Sequence, residues 1–269
     1  MAFSMRKRDE VQRHETVERC VRDFYGMATD HFKAQGWDYA SCASLLLRSG
    51  QVKVVQCMFD NLSEKDNAPG SVSDIDEAIG IAKNVSRLCK EYDAMSIVLA
   101  YRHPGEAIRI AKAAGADGIH YGWSKANDDG VSLARARDLA GERMIIGVTV
   151  ESVEEVRASA EHADYFGTTA LFPSALRSAQ GALGWNGLRS IAEAAKETEK
   201  PLVVGGGVLA EHVSRIMDTE ASGFFAISPL YSIPHDPRNR KDPEKTPEGV
   251  LQEYFDAIEG ARLVKPGRE

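Results

Sequence analysis

The sequence has little of what would mark a membrane, nucleic-acid or extracellular protein. No apolar run approaches the about 18 residues that a membrane helix needs. The first eight residues, Met1 to Arg8, lack the apolar stretch of a signal peptide. Positive charge is in the minority, with 33 Lys+Arg against 40 Asp+Glu and a formal net charge of −7. General nucleic-acid and membrane-surface binders need a basic footprint, so this balance argues against both. It leaves room for a small phosphate pocket. Cysteine is scarce: Cys20, Cys42, Cys57 and Cys89 form no C-x-x-C pair and no zinc-type spacing with histidine. In 269 residues they read as reduced thiols, and the expectation is a soluble cytoplasmic protein.

What is present is a regular alternation. Hydrophobic residues make up 43%, enough for a substantial core. The runs 52–59, 96–101, 118–121, 144–149, 165–169, 201–205 and 223–228 read as strands. Between them, 75–89, 104–114, 133–139, 188–198 and 210–217 carry apolar residues at helical spacing. Ser152-Val-Glu-Glu155 has the form of a capping box and opens a further helix. Val250, Leu251, Tyr254, Phe255 and Ile258 give a final helix its apolar face. With 24–29 as a first strand and 39–47 as its helix, eight βα units result. Short connections between them call for parallel strands and right-handed crossovers. The expected fold is a (β/α)8 TIM barrel over residues 20–269. Residues 1–19 form an N-terminal helical extension that either closes the barrel bottom or packs on a second subunit of a homo-oligomer.

In such barrels the site lies where the strands end, and phosphate commonly sits on the loops after strands seven and eight. Those loops carry Gly205-Gly206-Gly207-Val208 and Ile227-Ser228. Adjacent glycines let backbone N–H groups approach an anion. The other reading is a tight structural turn. The spacing favours phosphate at Gly206, Gly207 and Ser228.

Several motifs then come in a familiar order: Gly115-Ala-Asp-Gly-Ile-His-Tyr-Gly122, Ile145-Ile-Gly-Val-Thr149, Ala163-Asp-Tyr-Phe-Gly167, Leu171-Phe-Pro-Ser174 and Val203-Val-Gly-Gly-Gly-Val208. Over roughly residues 23–232 they resemble the thiamine phosphate synthase and thiazole tautomerase superfamily. The resemblance implies a (β/α)8 barrel acting on a phosphorylated small molecule. The synthase joins a pyrimidine pyrophosphate to a thiazole phosphate with Mg²⁺ and releases pyrophosphate. The tautomerase isomerises a thiazole carboxylate phosphate without metal. By that resemblance the phosphate falls on Gly206, Gly207, Ile227 and Ser228. Gln56 keeps the first position of a Gln-x-Arg-x-Lys pattern. Thr149 stands for a family Ser, and Ser174 and Arg177 stand for a Thr and a Lys.

The departures are electrostatic. Met58 and Asp60 stand where the family has Arg and Lys, and Leu99-Ala-Tyr-Arg-His103 stands where it has Asn-Asp. Asp128 or Asp129 could replace the lost Mg²⁺ carboxylate, although a solvated turn is the commoner use of such a pair. Trp123 and Trp185 could sandwich a heterocycle or anchor loops. His103 and Tyr101, at a strand end beside Arg102, could line the pocket. His120 reads as a structural histidine of the shared motif. Thr149, Arg177 and His103 are the catalytic candidates, and Gln56, Tyr101, Trp123 and Ser174 the pocket candidates. The leading expectation is a divergent synthase-like transferase on a thiazole phosphate-like heterocycle, with Mg²⁺. The alternatives are a metal-free isomerase with His103, Glu151 or Tyr101 as proton carriers, and a non-catalytic phosphometabolite-binding protein.

Overall fold

The computed structural model describes residues 2–59, 72, 74–122, 129–173, 182–231 and 245–264. The chain opens with helix α1 (Ala2–Cys20), then β1 (Asp23–Phe24), β2 (Gly26–Ala28) and α2 (Tyr39–Arg48). It continues through β3 (Val54–Phe59), α3 (Ile75–Glu91), β4 (Met95–Ala100), α4 (Pro104–Ala114), β5 (Gly118–Tyr121) and α5 (Leu133–Ala140). The second half runs β6 (Ile145–Thr149), α6 (Val153–Ser159), β7 (Tyr165–Thr168), α7 (Gly184–Glu197), β8 (Leu202–Val204), α8 (Val213–Met217) and β9 (Gly223–Phe224). Two helices, α9 (Ser228–Tyr231) and α10 (Pro247–Val264), follow, and short 3-10 turns stand at Lys33–Gln35 and Ala210–His212.

All neighbouring strands pair in parallel, in the order β1-β9-β8-β7-β6-β5-β4-β3-β2. The two ends of this sheet are consecutive in the chain. β1 pairs with β9, β2 pairs with β3, and Tyr25 between them donates its N–H to Phe224 O at 2.8 Å. The expected first strand is therefore one stretch that changes partner midway, which closes the (β/α)8 barrel.

Alternation along each strand sorts the core into two layers. Val54 and Met58 of β3, and Met95, Ile97 and Leu99 of β4, point into the barrel with Tyr25, Tyr165 and Val203. Val55, Cys57 and Phe59 face the helices, as do Val98 and Ala100. Both faces of these strands are buried, which explains their near-continuous apolar runs.

The N-terminal extension covers the bottom of the barrel. Val17, Cys20 and Val21 are buried among the inner-layer side chains. Arg13 Nε lies 3.0 Å from Asp164 Oδ1, and Arg137 holds the other carboxylate oxygen at 2.6 Å. The same Asp164 accepts the Ile146 N–H. One carboxylate thus joins α1, α5 and the start of β6.

Two further sequence expectations that changed are the α6 cap and the end of the last strand. The capping box at α6 is half formed: Ser152 Oγ accepts the Glu155 N–H at 3.2 Å, but the Glu155 carboxylate takes the N–H of Glu151. Ser152→Ala should lower stability by about 1 kcal/mol; an unchanged denaturant midpoint would show that the cap contributes nothing. The last strand stops at Phe224 rather than Ser228. After Phe225 N–H bonds Val204 O, the chain turns, and Ser228 begins α9.

Candidate functional site

A cavity lies inside the C-terminal half of the barrel. Seven sequence candidates line it: Gln56, Tyr101, Thr149, Gly206, Gly207, Ile227 and Ser228. They come from five different strand ends and loops, so only barrel closure makes them neighbours. Trp123, Ser174 and Arg177 lie outside the described residues.

Two candidates are placed elsewhere. His103 is the N-cap residue of α4 and is not among the cavity-lining residues. Its N–H bonds Ala100 O at 3.1 Å, and Arg102 before it holds a left-handed φ of 70°. This tight turn carries the chain away from the barrel axis into the helix. Asp129 is also absent from the lining. Its carboxylate accepts the Gly105 N–H at 2.6 Å and the Val131 N–H at 3.1 Å. It therefore serves the first turn of α4, where a carboxylate is favoured by the helix dipole. Among the described residues no cluster of His, Cys, Asp and Glu has a metal-binding arrangement.

The glycine rim is held from three sides. Gly206 and Gly207 take positive φ values of 93° and 67°. Leu171 and Phe172 N–H groups bond Gly205 O and Gly206 O, each at 3.0 Å. Tyr254 of α10 donates its hydroxyl to Val208 O at 2.9 Å. On the other side of the turn, the Phe172 and His212 rings meet at a tilt, centroids 4.6 Å apart, and His212 Nδ1 accepts the Leu209 N–H. Burial lowers the His212 pKa, which suits this acceptor role.

The floor carries a feature that sequence reading missed. Tyr25 OH donates to Gln56 Oε1 at 2.7 Å and lies 2.7 Å from Tyr165 OH. Tyr165 OH lies 3.1 Å from His120 Nδ1, and His120 Nε2 lies 2.9 Å from Thr149 Oγ1. All five side chains are buried and line the cavity. Burial pushes the pKa of both phenols up, that of Tyr25 well above its ordinary value. Both stay protonated through neutral pH. His120, read from sequence as structural, is a cavity residue that joins Tyr165 to Thr149. The available signal was register: His120, Gly147 and Tyr165 fall opposite one another on three adjacent strands.

The rest of the wall combines apolar Met27, Met58, Leu99, Val203 and Phe225 with the polar side chains of His31 and Thr169. Met58 points inward two residues after Gln56, as strand alternation requires.

Comparison with known proteins now decides the family. The family model for thiamine monophosphate synthase matches residues 30–230. The chain belongs to this family. A thiamine-phosphate synthase of Fusobacterium nucleatum is 25% identical over 229 residues, covering 85% of this chain and 95% of the relative. One from Methanospirillum hungatei is 31% identical over 208 residues, covering 77% and 88%. The structure of a thiamine phosphate pyrophosphorylase from Pyrococcus furiosus shares the fold, with a TM-score of 0.64 and 24% identity over 90% of this chain and 98% of that one. Thiamine-phosphate synthases are transferases, so this chain is a member of an enzyme family of thiamine biosynthesis with a TIM-barrel fold. Among the described residues no helix is long and apolar enough to cross a membrane.

Proposed function

We propose that this protein is a divergent transferase of the thiamine phosphate synthase family. It binds a phosphorylated, thiazole-like heterocycle and joins it to an activated pyrimidine-type group with release of pyrophosphate. The observation that carries the reading is the division of the cavity wall. Gly206, Gly207, Ile227 and Ser228 line one rim, and Gln56, Thr149 and Tyr101 line the same cavity beside inward-facing Met58. The rim suits a phosphomonoester, because left-handed glycines turn backbone N–H groups outward without a Cβ in the way. Met58 itself is apolar where the family has an Arg. The reading therefore keeps the phosphate-anchoring half of the family's chemistry and changes the half that grips pyrophosphate.

The chain's own groups then have distinct tasks. The glycine rim and Ser228 hold the phosphate and orient the heterocycle. Gln56, Thr149 and Tyr101 offer polar atoms to the second substrate, and the apolar wall keeps water from it. Arg177, outside the described residues, is assigned to the departing anion by the family motif. Mg²⁺ would supply further neutralisation of that anion. No carboxylate lines the cavity among the described residues, so these residues offer Mg²⁺ no anionic ligand. A metal-free isomerisation is the second reading. It is favoured by the His120–Thr149 pair in the cavity, a proton carrier of the kind that reaction needs.

Ser228→Asp tests the phosphate assignment without disturbing the core, since Ser228 is only half-buried. A carboxylate there should weaken inorganic phosphate binding by about 10- to 100-fold, the worth of about 1.5–3 kcal/mol for a charge-assisted contact. Calorimetric affinity equal to that of the unsubstituted protein would remove Ser228 from the site.

A further inference from the structure

The buried chain of hydrogen bonds on the cavity floor has a direction. Tyr25 carries one hydroxyl proton, and it points at Gln56 Oε1. The contact between the two phenols therefore needs the proton of Tyr165. That leaves the Tyr165 oxygen as an acceptor, so His120 Nδ1 must donate to it. A neutral imidazole protonated at Nδ1 has a bare Nε2, which accepts the hydroxyl proton of Thr149. One assignment, the Gln56 carbonyl oxygen facing Tyr25, orders every proton as far as Thr149.

The backbone is shaped for this contact. His120 of β5 pairs in register with Gly147 of β6, and Gly147 with Tyr165 of β7. A side chain at position 147 would stand between the two rings. A Cβ built there would lie 2.1 Å from Tyr165 Cζ and 2.4 Å from its hydroxyl oxygen. The missing rung lets the phenol of β7 cross β6 and reach the imidazole of β5. At Gly167 a Cβ would come within 3.0 Å of His120 Cε1. Two glycines on adjacent strands thus leave space for this ring pair.

We infer that Tyr165, seated across Gly147, is a positioning residue that locks His120 in the Nδ1–H tautomer and thereby turns the Thr149 oxygen into a hydrogen-bond acceptor toward the cavity. With its proton spent on His120, Thr149 meets a ligand with lone pairs. The site then selects a ligand that presents an N–H or O–H at that point and disfavours one that presents a second acceptor. The role of Thr149 toward substrate rests on the transferase reading above. The tautomer does not, because it is a property of the ligand-free protein.

The test is long-range ¹H–¹⁵N correlation NMR on the full chain labelled in its seven histidines. Spectra are recorded about 1.5 units above the ordinary histidine pKa of about 6.5, with His120→Asn identifying the signal. His120 should show a pyrrole-type Nδ1 and a pyridine-type Nε2, the reverse of the tautomer that histidine prefers in water. Tyr165→Phe removes the acceptor, and the majority tautomer should become Nε2–H. Gln56→Met has similar volume and removes the terminal acceptor. It frees the Tyr25 proton for Tyr165 and the Tyr165 proton for Nδ1, so it should produce the same reversal if Tyr165→Phe does not fold. An Nε2–H majority in the unsubstituted protein overturns the inference. So does a tautomer unchanged in the folded variants. Inorganic phosphate affinity, measured on the same samples, should stay within twofold in Tyr165→Phe. Its loss in Ser228→Asp alone keeps the two assignments separable.

Discussion

With pyrimidine pyrophosphate, thiazole phosphate and Mg²⁺, this protein should turn over several hundredfold or more below the typical enzyme median of about 10 s⁻¹. The reason is charge. A substrate with about three negative charges leaves water only against cations, metal or hydrogen-bond donors. Met58 lines the cavity where the family places Arg. Asp60, outside the described residues, stands where the family places Lys, so the sequence replaces two positive charges with one negative. β4 ends in Leu99-Ala100-Tyr101 in place of Asn-Asp, and Asp129 is engaged at the start of α4. Each missing anion contact costs about 1.5–3 kcal/mol. Two acting independently give the stated loss. Steady-state turnover near the median would make the protein an ordinary synthase. Absent turnover with thiazole phosphate still bound would support a changed reaction on a retained phosphate site.

Gly206→Ala should cost more than about 4 kcal/mol of stability, at the extreme of single substitutions. Two effects add. The residue holds φ at 93°, in the left-handed region, where a Cβ costs about 1–2 kcal/mol. That Cβ would also lie 2.2 Å from Thr169 O and 2.9 Å from Ala170 Cα. Both are backbone atoms, and the hydrogen bonds from Leu171 and Phe172 to Gly205 and Gly206 prevent the loops from parting. Gly36 provides the comparison: φ is 92°, but nothing lies within 4 Å of its Cβ position. Gly36→Ala should show the conformational cost alone. At about 2–4 °C per kcal/mol for a chain of this size, Gly206→Ala should melt at least 8 °C lower. A fall no larger than that of Gly36→Ala would mean that the rim opens freely and is not a fixed anion cradle.

Much of the fold follows from local patterning. The αL glycine at 115 and the apolar spacing before it mark the end of α4, and the observed helix, Pro104–Ala114, matches that expectation. The boundaries of β5 likewise agree with the short run Gly118–Tyr121. Strand alternation is a local rule too, and it sends Gln56 and Met58 to the same face. Two strand ends that moved are set by partners distant in the chain. β9 is cut short where Phe225 turns inward, and the first strand divides at Tyr25 because each half hydrogen-bonds a different strand.

The site divides in the same way. The glycine turn and the residues matched by the family motifs are chemical signatures readable in one dimension. The directional chain from Gln56 to Thr149 is not. Its members span 125 residues from Tyr25 to Thr149 and include Tyr165 beyond them, and no local periodicity links them. His120 looks structural in its own segment and gains a cavity role only when Tyr165 reaches it across Gly147. His103 shows the converse, a histidine at a strand end that a tight turn carries out of the barrel. The sequence by itself determined element types, inward and outward faces and the glycine turn at the rim, because each depends on neighbours a few residues away. The tertiary structure alone decided which polar groups share the cavity and come within hydrogen-bond distance there, because contacts across a closed barrel depend on register between strands far apart in the chain.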